Sequence, residues 1–121
     1  MDIQPEMLDG VKKRAEKAGL SNRINLYLSG PSGTLPEGMF DAALAFWMMH
    51  EVSGQKGMLT QLKLHLNPGG LFLLVEPKMH VNKTAFDRTV SLANDSGFTS
   101  VQEVRILFSR GVLLCGGDSR L

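Results

Sequence analysis

The chain has 121 residues, with 13 Lys and Arg against 12 Asp and Glu, which leaves a formal net charge of +1. That length suits a single domain, and a hydrophobic fraction of 43% is typical of a globular protein. A nearly neutral chain lacks the clustered cations that nucleic acid or an anionic membrane would bind, so neither partner is expected. No apolar run approaches the roughly 20 residues needed to span a bilayer, and the N-terminus has no signal-peptide pattern. The single Cys115 lies in an apolar run, which favours a buried thiol in the reducing cytoplasm.

The first elements are predicted to be a helix and two strands. Apolar residues recur at helical spacing after Pro5, which predicts an amphipathic helix over residues 5 to 18. Residues 24 to 28 alternate with period two and enter a Gly-rich loop at 29 to 33, as a strand would. Residues 40 to 49 contain an apolar run from Ala42 to Trp47, which is typical of a parallel strand covered by helices on both faces.

A helix and a strand are expected next. Helical spacing of Met and Leu predicts a helix over 55 to 66, which the turn Asn67-Pro68-Gly69-Gly70 should end. The apolar residues 71 to 75 then form a strand that ends at Glu76. Glu76 is therefore expected just beyond the C-terminal end of a parallel strand.

The last third of the chain predicts a helix followed by a hairpin. Asn82 is a suitable N-cap for a helix over 83 to 95. The strands at 101 to 108 and 111 to 116 are joined by a connection too short for a crossover helix, so they should pair antiparallel. The alternation of strands and helices predicts one α/β domain over residues 1 to 121, with a mostly parallel sheet and an antiparallel hairpin at its end.

Several segments resemble class I S-adenosylmethionine-dependent methyltransferases, in particular those of type 11. Residues 2 to 8 resemble the acidic end of the family's second strand and the helix after it, and residues 40 to 52 resemble its fourth strand and the following turn. Residues 66 to 77 resemble its Pro-Gly-Gly turn and fifth strand, and the closing hairpin resembles the end of the fold. The resemblance implies a three-layer Rossmann-like fold and transfer of a methyl group from S-adenosylmethionine to a small-molecule acceptor.

The family's first strand and Gly-rich loop have no counterpart in this sequence, so the resemblance implies a domain truncated at its N-terminus. In the family that strand lies between the second and the fourth, and without it residues 42 to 47 would present an open apolar edge. We expect the third strand to move beside the fourth, or a second copy to close the gap as a homodimer. A non-catalytic interaction module, or a fragment of a longer enzyme, is the alternative to an active methyltransferase. A dinucleotide oxidoreductase fits less well, because no glycine fingerprint is present.

The resemblance also implies cofactor-binding residues. Asp2, with Ile3 beside it, corresponds to the acidic position that receives the ribose hydroxyls, although a terminal Asp is equally a solvated residue. Gly30 and Ser32 follow the predicted third strand, where the family contacts adenine, and Phe46 ends the fourth strand beside the methyl donor.

Two ionisable residues are candidates for catalysis. His50 and Glu76 each follow a predicted parallel strand, so they should lie on the same rim of the sheet and could orient or deprotonate an acceptor. The plainer interpretation is a histidine at a helix start with a polar partner, beside core residues Trp47 and Met49. No metal site is expected, because the histidines lack metal-ligand spacing.

Overall fold

The computed structural model describes residues 1, 4–28 and 35–116. The predicted cofactor residues Asp2, Ile3, Gly30 and Ser32 lie outside these ranges. The described part contains three α-helices, one short 3-10 helix over Met49–Glu51, and four strands. These are α1 (Pro5–Lys17), β1 (Phe40–Phe46), α2 (Gln55–His65), β2 (Leu66–Pro77), α3 (Lys83–Asp95), β3 (Thr99–Val104) and β4 (Ser109–Cys115). All three predicted helices and the closing hairpin are confirmed, with no end shifted by more than four residues.

The four strands form one sheet in the order β1-β2-β4-β3. β1 runs parallel to β2, and β4 is antiparallel to both β2 and β3. The mixed α/β class is confirmed. The expected predominance of parallel pairing is wrong for the described residues, because β4 lies between β2 and β3 and makes two of the three strand pairs antiparallel.

The predicted strand over residues 24 to 28 is not formed. Residues 24 to 27 have no regular secondary structure, and Leu28 makes a single isolated β-bridge. Alternation of apolar and polar residues marks a segment able to form a strand, but a strand also needs a neighbour for its backbone hydrogen bonds. This segment has not joined the four-stranded sheet as a strand beside β1.

The core lies between the sheet and helices α2 and α3. Leu59 and Leu62 of α2 and Phe86 of α3 are buried against Phe72 and Leu74 of β2. The expected N-cap of α3 is present, because the Asn82 side chain accepts a hydrogen bond from the Ala85 backbone N–H. The burial of these alternating β2 residues fixes which face of the sheet meets the helices.

The opposite face of the sheet is exposed along β1 and at Leu71 of β2, whereas Val75 of β2 is buried. Leu44, Phe46 and Leu71 are exposed by 63%, 46% and 43%. The prediction that β1 is buried on both faces is therefore wrong. Among the described helices, α2 and α3 pack on the other face, and α1 buries only Ala15.

The turn predicted at residues 67 to 70 is part of β2 rather than a separate loop. β1 pairs Phe40 with Leu66 and then Ala42 with Leu71, so extra residues of β2 bulge out between these two pairs. Gly69 has a φ of 80°, which favours glycine, and a side chain on Gly70 would lie 2.9 Å from the Asn67 carbonyl oxygen. In the described residues no helix has the length and apolar character to cross a membrane.

Candidate active site

The C-terminal ends of β1 and β2 lie at one rim of the sheet, because these two strands are parallel. Trp47 follows β1, and its backbone N–H donates a 2.7 Å hydrogen bond to the carbonyl oxygen of Val75 in β2. The φ of Trp47 is 59°, a left-handed value that is uncommon for a bulky residue. This turn takes the chain off the sheet and into the 3-10 helix Met49–Glu51.

Two aromatic rings form a surface at this rim. Phe46 and Trp47 stack with ring centroids 5.4 Å apart and planes inclined by 19°. The Trp47 indole Nε1–H donates a 2.8 Å hydrogen bond to Oγ of Ser109, at the start of β4. Both rings are exposed by more than 40%, so the interpretation of Trp47 as a core residue is wrong, whereas Met49 is fully buried. Stacked, half-exposed aromatic faces can bind a planar base or a cation.

His50 and Glu76 are in contact, as the prediction that they share one rim implied, although Glu76 lies within the last residues of β2 and not beyond the strand. His50 Nδ1 lies 3.3 Å from Oε1 of Glu76. The Glu76 side chain is 1% exposed and that of His50 is 25% exposed. The other carboxyl oxygen of Glu76, Oε2, is buried without a hydrogen-bond partner among the described residues. A buried polar atom without a partner is costly for folding and is frequently found at functional sites.

The environment of Glu76 favours its neutral form. Burial raises the pKa of Glu76 above its ordinary value of 4.5, while the hydrogen bond and charge of His50 and the backbone groups of His50 and Met49 act in the opposite direction. The carboxyl therefore exchanges its proton at a higher pH than an exposed glutamate. On its other side His50 stacks on the ring of His80, with centroids 6.0 Å apart.

The arrangement can hold and move a proton. If Nδ1 of His50 carries the proton shared with Glu76, Nε2 is the acceptor of the imidazole. The buried carboxyl group of Glu76 fixes the orientation of the partly exposed His50 ring. No group of three metal-ligating side chains occurs within the described ranges.

Of the predicted site residues, the structure describes Phe46, His50 and Glu76, and all three belong to the rim. Ser109 was missed as a member of this site. It lies 62 residues from Trp47 along the chain, and no local pattern in the sequence indicates that the hairpin returns to this rim.

The fold defined by this sheet and rim is that of a methyltransferase. A SAM-dependent methyltransferase from Aquifex aeolicus matches 93% of this chain over 65% of its own length, with 20% identity and a TM-score of 0.76. The glycopeptide N-methyltransferase MtfA, complexed with sinefungin, matches 93% over 68% of its length, with 16% identity and a TM-score of 0.70. The [4+2]-cyclase SpnF matches 84% over 43% of its length, with 19% identity and a TM-score of 0.71. At these identities the similarity establishes the fold.

Residues 1–74 match the family model described as Methyltransferase domain. Because the match covers more than half of the chain, the chain belongs to this family. No curated protein matches the sequence significantly. The chain spans 38% to 68% of the length of the solved structures that it resembles.

Proposed function

We propose that this chain forms part of an S-adenosylmethionine-dependent methyltransferase that acts on a small-molecule hydroxyl group in the cytoplasm. Membership of the Methyltransferase domain family supports the reaction class. The choice of a hydroxyl group as the acceptor rests on the contact between partly exposed His50 and buried Glu76. A hydroxyl acceptor needs a base, and a histidine held in place by a buried carboxyl group can fill that role.

The described residues that fit the cofactor are the stacked rings of Phe46 and Trp47. Their exposed faces suit an adenine ring or a sulfonium, and the neighbour MtfA was solved with the S-adenosylmethionine analogue sinefungin. When bound, S-adenosylmethionine supplies a methyl group on a positively charged sulfur. Asp2, Ile3, Gly30 and Ser32 are proposed to complete the binding site, on the strength of the family resemblance alone.

The residues of this chain would act on the acceptor. His50 Nε2 would take the proton from the acceptor hydroxyl, while the contact of His50 Nδ1 with Oε1 of Glu76 would hold the ring in place. The proton later leaves to solvent through the exposed edge of the ring. Glu76 is a positioning residue in this scheme, because it acts through His50.

Isothermal titration with S-adenosylhomocysteine tests the cofactor part of the proposal. We expect micromolar binding to the wild-type chain and at least about fivefold weaker binding to Phe46→Ala, since stacking on an aromatic ring is worth about 1 to 3 kcal/mol. Phe40→Ala is the matched control, because Phe40 lies at the other end of the same strand. Loss of affinity in both variants, or no binding to the folded wild-type chain, would contradict the proposal.

No described strand pairs with the outer edge of β1, and this favours a second function, a non-catalytic methyltransferase-like module that pairs with another polypeptide. The fold is compatible with activities other than methyl transfer, since the structural neighbour SpnF is a [4+2]-cyclase. A folded chain that self-associates and does not bind S-adenosylhomocysteine would support this function over the first.

A further inference from the structure

A cavity lies between the start of α3, the loop after β2 and the hairpin of β3 and β4. Its volume is about 360 Å³, which is within the range of small-molecule sites. The described lining residues all lie between Lys78 and Gly111, so the last third of the chain builds this cavity. His50 and Glu76 are not among these lining residues.

The walls of this cavity carry an excess of positive charge. The described lining includes four cationic side chains and two carboxylates, which are Lys78, Lys83, Arg105 and Arg110 against Asp87 and Glu103. Lys83 is paired with Asp87 at 2.7 Å. The other four side chains make no ion pair with a described residue, so three cations remain against one carboxylate. Such an excess attracts a ligand with more than one negative charge.

Arg110 is held in a position that suits an anion. Its side chain is half-buried, and Nε donates a 3.0 Å hydrogen bond to the carbonyl oxygen of Val81. This bond orients the guanidinium group, and its two terminal nitrogens make no hydrogen bond with a described residue. A guanidinium group that is already oriented can bind two oxygens of a phosphate or carboxylate at once, with little loss of side-chain entropy.

Helix α3 adds to the positive potential of the same wall. The N-terminal end of a helix is positive, and acidic side chains are therefore favoured in its first turn. The first turn of α3 has no acidic residue and begins with Lys83, which lines the cavity. The helix start and the cationic side chains thus favour the same kind of ligand.

We propose that this cavity binds a small phosphate monoester, with the phosphate group on Arg110 and Lys78. A phosphate monoester carries about 1.5 to 2 negative charges at pH 7, which matches the excess of the walls better than the single charge of a carboxylate. Phe86, Val104 and Ile106 supply an apolar part of the lining for the organic group of the ligand. The proposal concerns a separate binding site and does not depend on methyl transfer.

Titration followed by the backbone amide signals in NMR spectra tests whether binding occurs at this cavity. The probes are phenyl phosphate, inorganic phosphate, phenylacetate as a carboxylate of similar size, and benzyl alcohol as an uncharged compound. We expect phenyl phosphate to cause saturable shifts at residues 81 to 86 and 109 to 111. Inorganic phosphate and phenylacetate should each bind at least about threefold more weakly, and benzyl alcohol should cause no saturable shift.

Substitutions of the lining residues test the roles of their charges. Arg110→Gln should weaken the binding of phenyl phosphate at least about tenfold, because it removes both the charge and the paired hydrogen bonds. Lys78→Gln should weaken it about threefold. Glu103→Gln should strengthen it about twofold, because it removes a negative charge that has no ion-pair partner among the described residues.

Two features of this set separate binding from folding and from overall charge. Arg110→Gln also removes the contact with Val81, but Lys78 and Glu103 have exposed side chains whose loss should leave the fold intact. Arg88→Gln is the matched control, because Arg88 is an exposed residue of α3 outside the described lining and its loss changes the net charge equally. It should change the affinity less than about twofold.

Four outcomes would overturn the proposal. The first is a folded wild-type chain in which phenyl phosphate causes no saturable shift at these residues. The second is an equal effect of Lys78→Gln and Arg88→Gln, which would show attraction by overall charge rather than a site. The third is equal binding of inorganic phosphate, which would mean an adventitious ion only. The fourth is equal binding of phenylacetate, which would show that the cavity does not select phosphate.

Discussion

Removal of the His50 side chain should make the stability of this protein more sensitive to pH. In the wild-type chain the hydrogen bond and charge of His50 hold the pKa of Glu76 lower than burial alone would place it. In His50→Ala the carboxyl keeps its burial and loses its partner, so its pKa rises further. A group whose pKa is raised on folding destabilises the folded state increasingly as pH rises above the ordinary value, here 4.5.

Protonation of Glu76 sets an upper limit on the stability that His50→Ala can lose. A buried glutamate that loses its partner can take up a proton, and doing so at pH 7 against an ordinary pKa of 4.5 costs about 3 kcal/mol, at about 1.4 kcal/mol for each pH unit. Part of this cost is already present in the wild-type chain, because burial raises the pKa of Glu76 despite His50. We therefore expect His50→Ala to lose about 1 to 2 kcal/mol more at pH 7 than at pH 4.

Urea unfolding followed by the fluorescence of Trp47, the single tryptophan, measures this difference. His65→Ala is the control, because His65 Nδ1 contacts the Gly38 carbonyl oxygen rather than a carboxylate. The double variant His50→Ala with Glu76→Gln should lose the pH dependence. An equal cost of His50→Ala at pH 4 and pH 7 would refute the reasoning.

Two further substitutions test the packing of the hairpin. Ser109→Ala removes the acceptor of the Trp47 indole N–H, so we expect a loss of about 1 kcal/mol and a changed tryptophan emission, with Ser100→Ala as an unaffected control. Gly111→Ala would place a side chain 2.8 Å from a carbonyl oxygen of β3 and should cost about 1 to 3 kcal/mol. Gly57→Ala, in α2 with open space around it, should instead raise the melting temperature by adding about 0.5 to 1 kcal/mol of stability.

Several elements could be predicted from the sequence because their signals are local. The N-cap Asn82 and the apolar spacing after it predict both ends of α3. The short connection before β4 requires antiparallel pairing with β3, whatever lies around the hairpin. His50 and Glu76 could be placed on one rim because His50 follows β1 and Glu76 lies at the C-terminal end of β2, its parallel neighbour.

Tertiary structure decided which strands found partners and which surfaces were covered. Residues 24 to 28 have the alternation of a strand, but whether a neighbour offers its backbone groups cannot be read from local sequence. The apolar character of β1 predicted burial on both faces, yet Leu44 and Phe46 are exposed because no described helix covers that face.

The contacts made by the rim residues also depend on the tertiary structure. The hydrogen bond from Trp47 to Ser109 needs both the left-handed turn after β1 and the insertion of β4 beside β2. Proximity of His50 and Glu76 followed from strand direction, but the burial that raises the pKa of Glu76 depends on the packing of side chains from distant elements. Periodicity and capping act over a few residues, so they can be predicted from the sequence. Burial and long-range strand pairing arise only when the whole chain has folded.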